Sequence, residues 1–401
     1  MMASTAFNGL SAQGKTLFFG RRAAIDADAA IFNRTGFPHA WFEDTGPSGQ
    51  VYDVLAVRGT FDFPEKGDSL LPAEWQTPIL WGDELDGPED NPLRMVLLRE
   101  GDTALYKPRA DLQITGSARS EDGKPRRWWE ASVVVSAANG KVLHKKALGL
   151  SGPRRFARGM FGWRVSQSEA VADVALDYRH AFGGSFSVPA GEDEGERTPR
   201  AVYKPDNPAG CGWLPDAKAL GRLSKRARQY VQAQVDALRE MPAPQIETIW
   251  GAVTSPDSNN RRAAQGFGPV VRWCEPRVRL AGTYDAQWRR ERCPQLPKDF
   301  DLAFYQGAHP DMILPAHLKG NETLRLDGLL PEGCRTLRLP GLHMLGMVTQ
   351  ASSRTVAGRL ALDTARVDLD ARQVVLVWRA AFERSDPVRE VALGAVVDNR
   401  K

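Results

Sequence analysis

From residue 51 to 63 the sequence VYDVLAVRGTFDF sets Leu55, Val57, Phe61 and Phe63 at alternate positions, and Pro64 ends the run. A repeat of two is the period of a strand with one face turned to a core. Similar strand-like runs appear at residues 95–99, 105–115, 129–136, 141–148 and 171–180, and in shorter form at 322–330 and 336–339, which closes on Pro340-Gly341. Between 136 and 141 the pair Asn139-Gly140 gives the strongest hairpin signal in the chain, since both residues accept the positive φ of a two-residue turn. That hairpin would lay Trp128, Trp129, Val133 and Val135 over a sheet with Leu143 and Ala147 opposite.

The last sixty residues are the most regular. Runs at 359–369 and 373–382 flank Asp370-Ala371-Arg372, a compact turn. Because 374–378 is apolar at every position, it predicts a central strand covered on both faces, with a final strand at 389–397 paired beside it. Strands do not alternate with helices, so a parallel doubly wound sheet is disfavoured. The expected class is mainly β (α+β): antiparallel, sandwich-like sheets with long irregular loops and one prominent amphipathic helix.

That helix lies between Pro215 and Pro242, where Leu220, Leu223, Ala227, Tyr230 or Val231, Val235 and Leu238 recur at steps of three and four. Lys218, Arg222, Lys225, Arg226 and Arg228 surround the stripe, which suits a surface helix packed by one face or a docking helix for a partner. Residues 1–16 read as a loose polar tail, 190–198 (AGEDEGERT) as an exposed acidic loop, and 204–213 (KPDNPAGCGW) as turns. The stretch 265–311 mixes Trp273, Tyr284, Trp288, Phe300, Phe304 and Tyr305 with prolines and arginines. It has neither period, so it reads as irregular chain pinned by aromatic anchors.

Several function classes fall away. A net charge of +4, from 53 basic and 49 acidic residues, is too small to argue for nucleic acid. Basic residues do collect between 119 and 164, suited to a solvated face or to an acidic partner. No apolar run of about 18 residues and no signal-peptide core occur, and Cys211, Cys274, Cys293 and Cys334 form no CxxC pair. These features predict a soluble cytoplasmic protein with free thiols, away from membranes.

The usual catalytic patterns are also missing. There is no GxSxG elbow, no HExxH, no phosphate loop and no dinucleotide fingerprint, so neither a metal nor a cofactor is expected. His180 with Asp285 or Asp299 could serve as acid–base groups of a hydrolase acting on a glycan or ester. Trp273 and Trp288 could serve as platforms of a carbohydrate-binding module. The many nearby arginines favour ion pairs for these carboxylates, Asp301 included.

Read in order, the chain carries KPRAD at 107–111, YRHAFGG at 178–184, NPAG at 207–210, PQIE at 244–247, GFGP at 266–269, Trp273 with Pro276-Arg277, GTYD at 282–285 with Trp288, LPKDFD at 296–301, and LPG at 339–341. These segments resemble a bacterial domain of unknown function encoded beside type VI secretion spike proteins (VgrG), PAAR-repeat tips and toxic effectors. The resemblance runs over residues 17–345, after a tail at 1–16, and leaves 346–401 as a C-terminal β-meander on the same body. It implies a non-enzymatic cytoplasmic adaptor that binds an effector toxin or its PAAR-containing carrier and helps load it onto the VgrG spike. Partner choice is expected at Arg126, Arg127, Trp128, Lys145 and Lys146 on the basic hairpin and at Lys218, Arg222, Lys225 and Arg226 around the helix.

Overall fold

The computed structural model describes residues 16–17, 29–188, 201–256 and 262–397. Most of the expected tail and the expected acidic loop at 190–198 lie outside the described residues. The architecture is mainly β, and most strand pairs are antiparallel. In the largest sheet His39–Thr45, Val51–Asp62, Gln373–Glu383, Ala361–Asp368 and Asp111–Thr115 lie side by side in that order, the last pair parallel. A second sheet runs Ile246–Glu247, Val142–Ser151, Trp128–Ser136, Thr323–Asp327, Cys334–Arg338. A third runs Ala30–Asn33, Val388–Val397, Leu342–Gln350, Thr355–Arg359.

One core joins all three. Leu55, Val57, Phe61 and Trp378 of the first sheet pack in the same cluster as Val133, Leu148 and Leu324 of the second and Met344 and Val391 of the third. Each large side chain so buried contributes roughly 1.5–3 kcal/mol of transfer free energy. The expected double cover of 374–378 is present, and all five residues are buried.

The final strand does not pair beside it. Both edges of Gln373–Glu383 are taken, by Val51–Asp62 and by Ala361–Asp368, so Val388–Val397 joins the third sheet instead. The division expected at 345/346 falls inside the strand Leu342–Gln350. Later strands are threaded between earlier ones, so the C-terminal part is not an appended meander.

The hairpin of Trp128–Ser136 and Val142–Ser151 forms where expected, but Val133 and Val135 stand opposite Lys146 and His144 instead of Ala147 and Leu143, and its turn is longer than two residues. Gly140 N–H donates to Ala137 O at 2.8 Å and Ala137 N–H to Lys141 O at 2.9 Å. Only Gly140 takes positive φ, at 81°. The expected single helix is two pieces, one turn at Ala217–Leu220 and the helix Lys225–Ala237. Ser224 starts the latter by accepting from Ala227 N–H. Its apolar side, Ala227 and Val231, packs with Leu223, Phe156, Phe182 and Trp213 in a separate, smaller core.

The expected strand at 105–115 is shorter than the pattern suggested, at Asp111–Thr115. The run 171–180 likewise holds only the strand Asp173–Ala175 and a 3-10 turn, Tyr178–His180. Residues 265–311 are irregular as anticipated, with only short helical turns, the longest being Ala286–Glu291. Among the described residues no helix is long and apolar enough to cross a membrane.

Candidate functional site

The alternation along the first sheet produces two faces of opposite character. Leu55, Val57, Phe61, Leu112, Ile114, Leu376 and Trp378 point to the common core. On the other face the register aligns Arg58 with Val377, Thr364 with Asp111 and Arg366 with Gln113. A charged face would ordinarily meet solvent. Here Arg58, Asp111, Gln113, Thr364, Arg366 and Arg379 are all buried.

The cover comes from two loop segments that bring their own charges. From 100–110, Lys107 Nζ donates to Glu100 Oε2 and to Asp111 Oδ2, both at 2.7 Å, and to Thr364 Oγ1 at 3.2 Å. Asp102 accepts from Arg58 at 2.7 Å and pairs with Arg366 at 2.9 Å. From the 265–311 stretch, Arg277 approaches Glu100 at 3.4 Å and donates to the carbonyls of Val270 and Phe304, each at 3.0 Å. Gln306 donates to Asp111 Oδ1 at 2.9 Å, and Gly307 N–H donates to Asp111 Oδ2 at 2.9 Å. Arg379 completes the group with Asp363 at 3.1 Å.

Charges buried this way survive because they satisfy one another. Burial alone would raise the Glu100 pKa, and Lys107, Arg277 and Arg366 outweigh it, holding the carboxyl at about 2. Burial likewise opposes the charge on Lys107, but Asp111 and Glu100 outweigh it and raise its pKa. The irregular stretch is therefore a lid bolted to the sheet by ions. Sequence reasoning missed this network because strand charges read as solvent-facing. The available signal was Arg58 on the same face as the apolar Val54 and Ala56.

Other motif residues interlock in the same structural manner. Asn207 of NPAG donates through Nδ2 to Tyr178 O at 2.8 Å, and a Cβ on Gly183 would stand 2.1 Å from Asn207 O. Tyr178 donates to Gly268 O at 3.1 Å, and a Cβ on Gly266 would meet the Tyr178 ring at 2.7 Å. Gly282 has φ +79 and would crowd Pro297 and Asp299 with any side chain. YRHAFGG, NPAG and GFGP thus fit together through close approaches of side chains and backbone that glycine permits.

The hydrolase candidates are each engaged. His180 Nδ1 accepts from Gln245 at 2.9 Å, and burial lowers its pKa. Asp285 caps Ala286–Glu291 by accepting from Trp288 N–H at 2.7 Å, and Asp299 holds Thr283 N–H at 2.9 Å and its hydroxyl at 2.7 Å. Asp301 caps the Leu302–Tyr305 turn. Trp273 packs against the small cluster of Leu97, Val271 and Cys274, while Trp288 sits edge-on to Tyr284 with ring centres 4.6 Å apart.

The expected partner residues divide. Arg126 pairs with Glu121 at 3.4 Å on the exposed surface, Arg127 donates to Ser168 O at 2.6 Å, and Trp128 is 55% exposed. Lys145, Lys218, Arg222, Lys225 and Arg226 are exposed. Lys146 does not belong with them. It is 6% exposed, because the alternation turns it to the core side of its strand opposite Val133. There its Nζ lies 2.9 Å from His309 Nδ1 and 3.5 Å from Asp311.

His309 donates from Nε2 to Ala264 O at 2.9 Å, so Nδ1 is the acceptor, taking Asp311 N–H at 3.1 Å as well as the lysine. Burial, then the neighbouring ammonium, push the His309 pKa down to about 4. Burial also lowers Lys146, to about 8, against the pull of Asp311.

A family model described as an uncharacterized protein conserved in bacteria (DUF2169) matches residues 48–379. Searches of the curated proteins and of the solved structures return no match.

Proposed function

We propose a function from one premise, that this chain is a member of the conserved bacterial family DUF2169. It is a cytoplasmic adaptor of type VI secretion, which holds an effector toxin or its PAAR-containing carrier and assists its loading onto the VgrG spike. It performs no chemistry on that cargo.

The observation that carries this reading is the division of labour among its residues. The segments behind the resemblance close on one another in the interior, through the Lys107–Glu100–Arg277 network and the Asn207–Gly183 and Tyr178–Gly266 contacts. Such contacts set a rigid body. The surface outside them carries Trp128, Trp250, Arg126, Arg127 and Lys145, and on the helical side Lys218, Arg222, Lys225 and Arg226. Tryptophan and arginine are the side chains that most often anchor protein interfaces, and basic residues select an acidic partner and speed its encounter.

Co-purification with the effector or PAAR-repeat protein encoded beside it tests the reading. Stable recovery is expected, reduced by Arg126→Glu/Arg127→Glu or by Lys225→Glu/Arg226→Glu. Unchanged recovery from both double variants would move the interface elsewhere.

A further inference from the structure

We propose that the outer edge of the strand Val142–Ser151, over residues 144–147, accepts an extended acidic segment of a protein partner as an added strand. This deepens the adaptor reading and rests on it for the partner's identity.

The edge is open for a traceable reason. Ile246–Glu247 pairs with only Leu150 and Gly149, and Ser151 N–H donates to Gln245 O at 2.9 Å. After Glu247 the chain turns away, its carboxylate accepting from Val253 N–H and from Arg154. In an antiparallel ladder alternate residues bond to opposite neighbours. Ser151 and Gly149 bond outward, so Ala147 and Lys145 also direct N–H and C=O outward, while His144, Lys146 and Leu148 bond inward to Trp128–Ser136; beyond His144 the register shifts and the alternation ends. Among the described residues no backbone group pairs with the outward ones.

The side chains along this edge specify what can bind. Lys141 and Lys145 are exposed, and neither has an ion-pair partner among the described residues. On the inner face His144 is half-buried, and Lys146 is held by His309 and Asp311. Trp128 lies over Gly149, where a Cβ would come within 2.9 Å of the indole nitrogen and 3.4 Å of Thr248 O. The absence of a side chain at 149 thus seats an exposed indole where the existing short strand ends. An incoming strand would find the free backbone of Lys145 and Ala147, two lysines and an aromatic stop. Lysine on an edge also discourages pairing with a like copy, so an acidic strand is the complementary occupant.

Amide hydrogen exchange tests this on the full chain. The probe is a synthetic peptide of about ten residues alternating glutamate with valine or threonine, and its counterpart carries lysine in place of glutamate. In the free protein the amides of Lys145 and Ala147 should exchange fast, and those of His144 and Lys146 slowly. The glutamate peptide should slow the first set by roughly tenfold or more, and the lysine peptide should not. Lys141→Glu/Lys145→Glu should exchange the preference between the two peptides. Equal effects of both peptides, no slowing, or slow exchange at these amides before any peptide is added would overturn the proposal.

Failure of the two ideas can be told apart. If Lys141→Glu/Lys145→Glu captures the effector or PAAR-repeat protein as well as the unaltered chain does, the edge proposal falls and the adaptor reading stands. If the glutamate peptide docks but neither protein is captured, the edge proposal stands and the adaptor reading falls.

Discussion

A Cβ on Gly307 would stand 2.2 Å from the carboxyl group of Glu100, so the lid stretch and the charged face of the sheet meet with no room for a methyl group. The contact is between backbone and a buried ion held by Lys107 and Arg277. Neither partner can withdraw without breaking the network. Gly307→Ala should therefore lower unfolding free energy by roughly 2–4 kcal/mol, combining overpacking with a disturbed ion cluster. Urea unfolding measures it, and an unchanged midpoint would mean that the lid is not tightly closed.

Lys107 stands between two carboxylates and is buried with them. Lys107→Met would leave Glu100 and Asp111 facing each other without their shared cation. A loss of about 3–5 kcal/mol is expected, the usual consequence of removing one member of a buried ion group. A small loss would show that water reaches the cluster.

The His309–Lys146 pair predicts a pH dependence. A folded pKa of about 4, below the ordinary 6.5, means that His309 stabilises the fold above about pH 6.5 and that this is lost as pH falls towards 4. The full effect is about 3 kcal/mol. Lys146 works differently: with its folded pKa lowered to about 8, it penalises the fold at neutral pH, and the penalty disappears as pH rises through its unfolded value. Lys146→Met should accordingly raise the His309 pKa and leave stability at pH 7 equal or higher. Imidazole NMR titration reads the first and thermal unfolding the second; a His309 pKa that stays put would show that burial alone sets it.

Arg126→Glu/Arg127→Glu and Lys225→Glu/Arg226→Glu lie on the hairpin side and the helix side of the surface. Both should leave the unfolding midpoint unchanged, because exposed charges contribute little to stability. If one variant loses cargo and the other does not, the interface is assigned to that side.

Much of the strand content was legible because large apolar side chains alternate at 51–63 and run unbroken at 374–378, although both strands prove to be buried on both faces. Sheet membership was not. The strand Val388–Val397 carries the same pattern whichever neighbour it takes, and competition for the edges of Gln373–Glu383 decided the matter. The charged face was hidden for a related reason. Period two tells which residues share a face, but only tertiary structure shows that the stretch 265–311 covers it. Lys146 illustrates the limit at one residue: adjacent to Lys145 in a basic run, it faces the opposite side of the sheet. Of the expected partner residues it alone is buried.

Quantitative co-purification from native cells asks whether the chain holds an effector or a PAAR-repeat protein. The tagged chain and its Arg126→Glu/Arg127→Glu and Lys225→Glu/Arg226→Glu variants would be compared for recovery of the neighbouring effector or PAAR-repeat protein. Near-stoichiometric recovery is expected with the unaltered chain, and a loss of roughly tenfold or more with at least one variant, at equal folding. Absence of both proteins from the unaltered chain's eluate would contradict it.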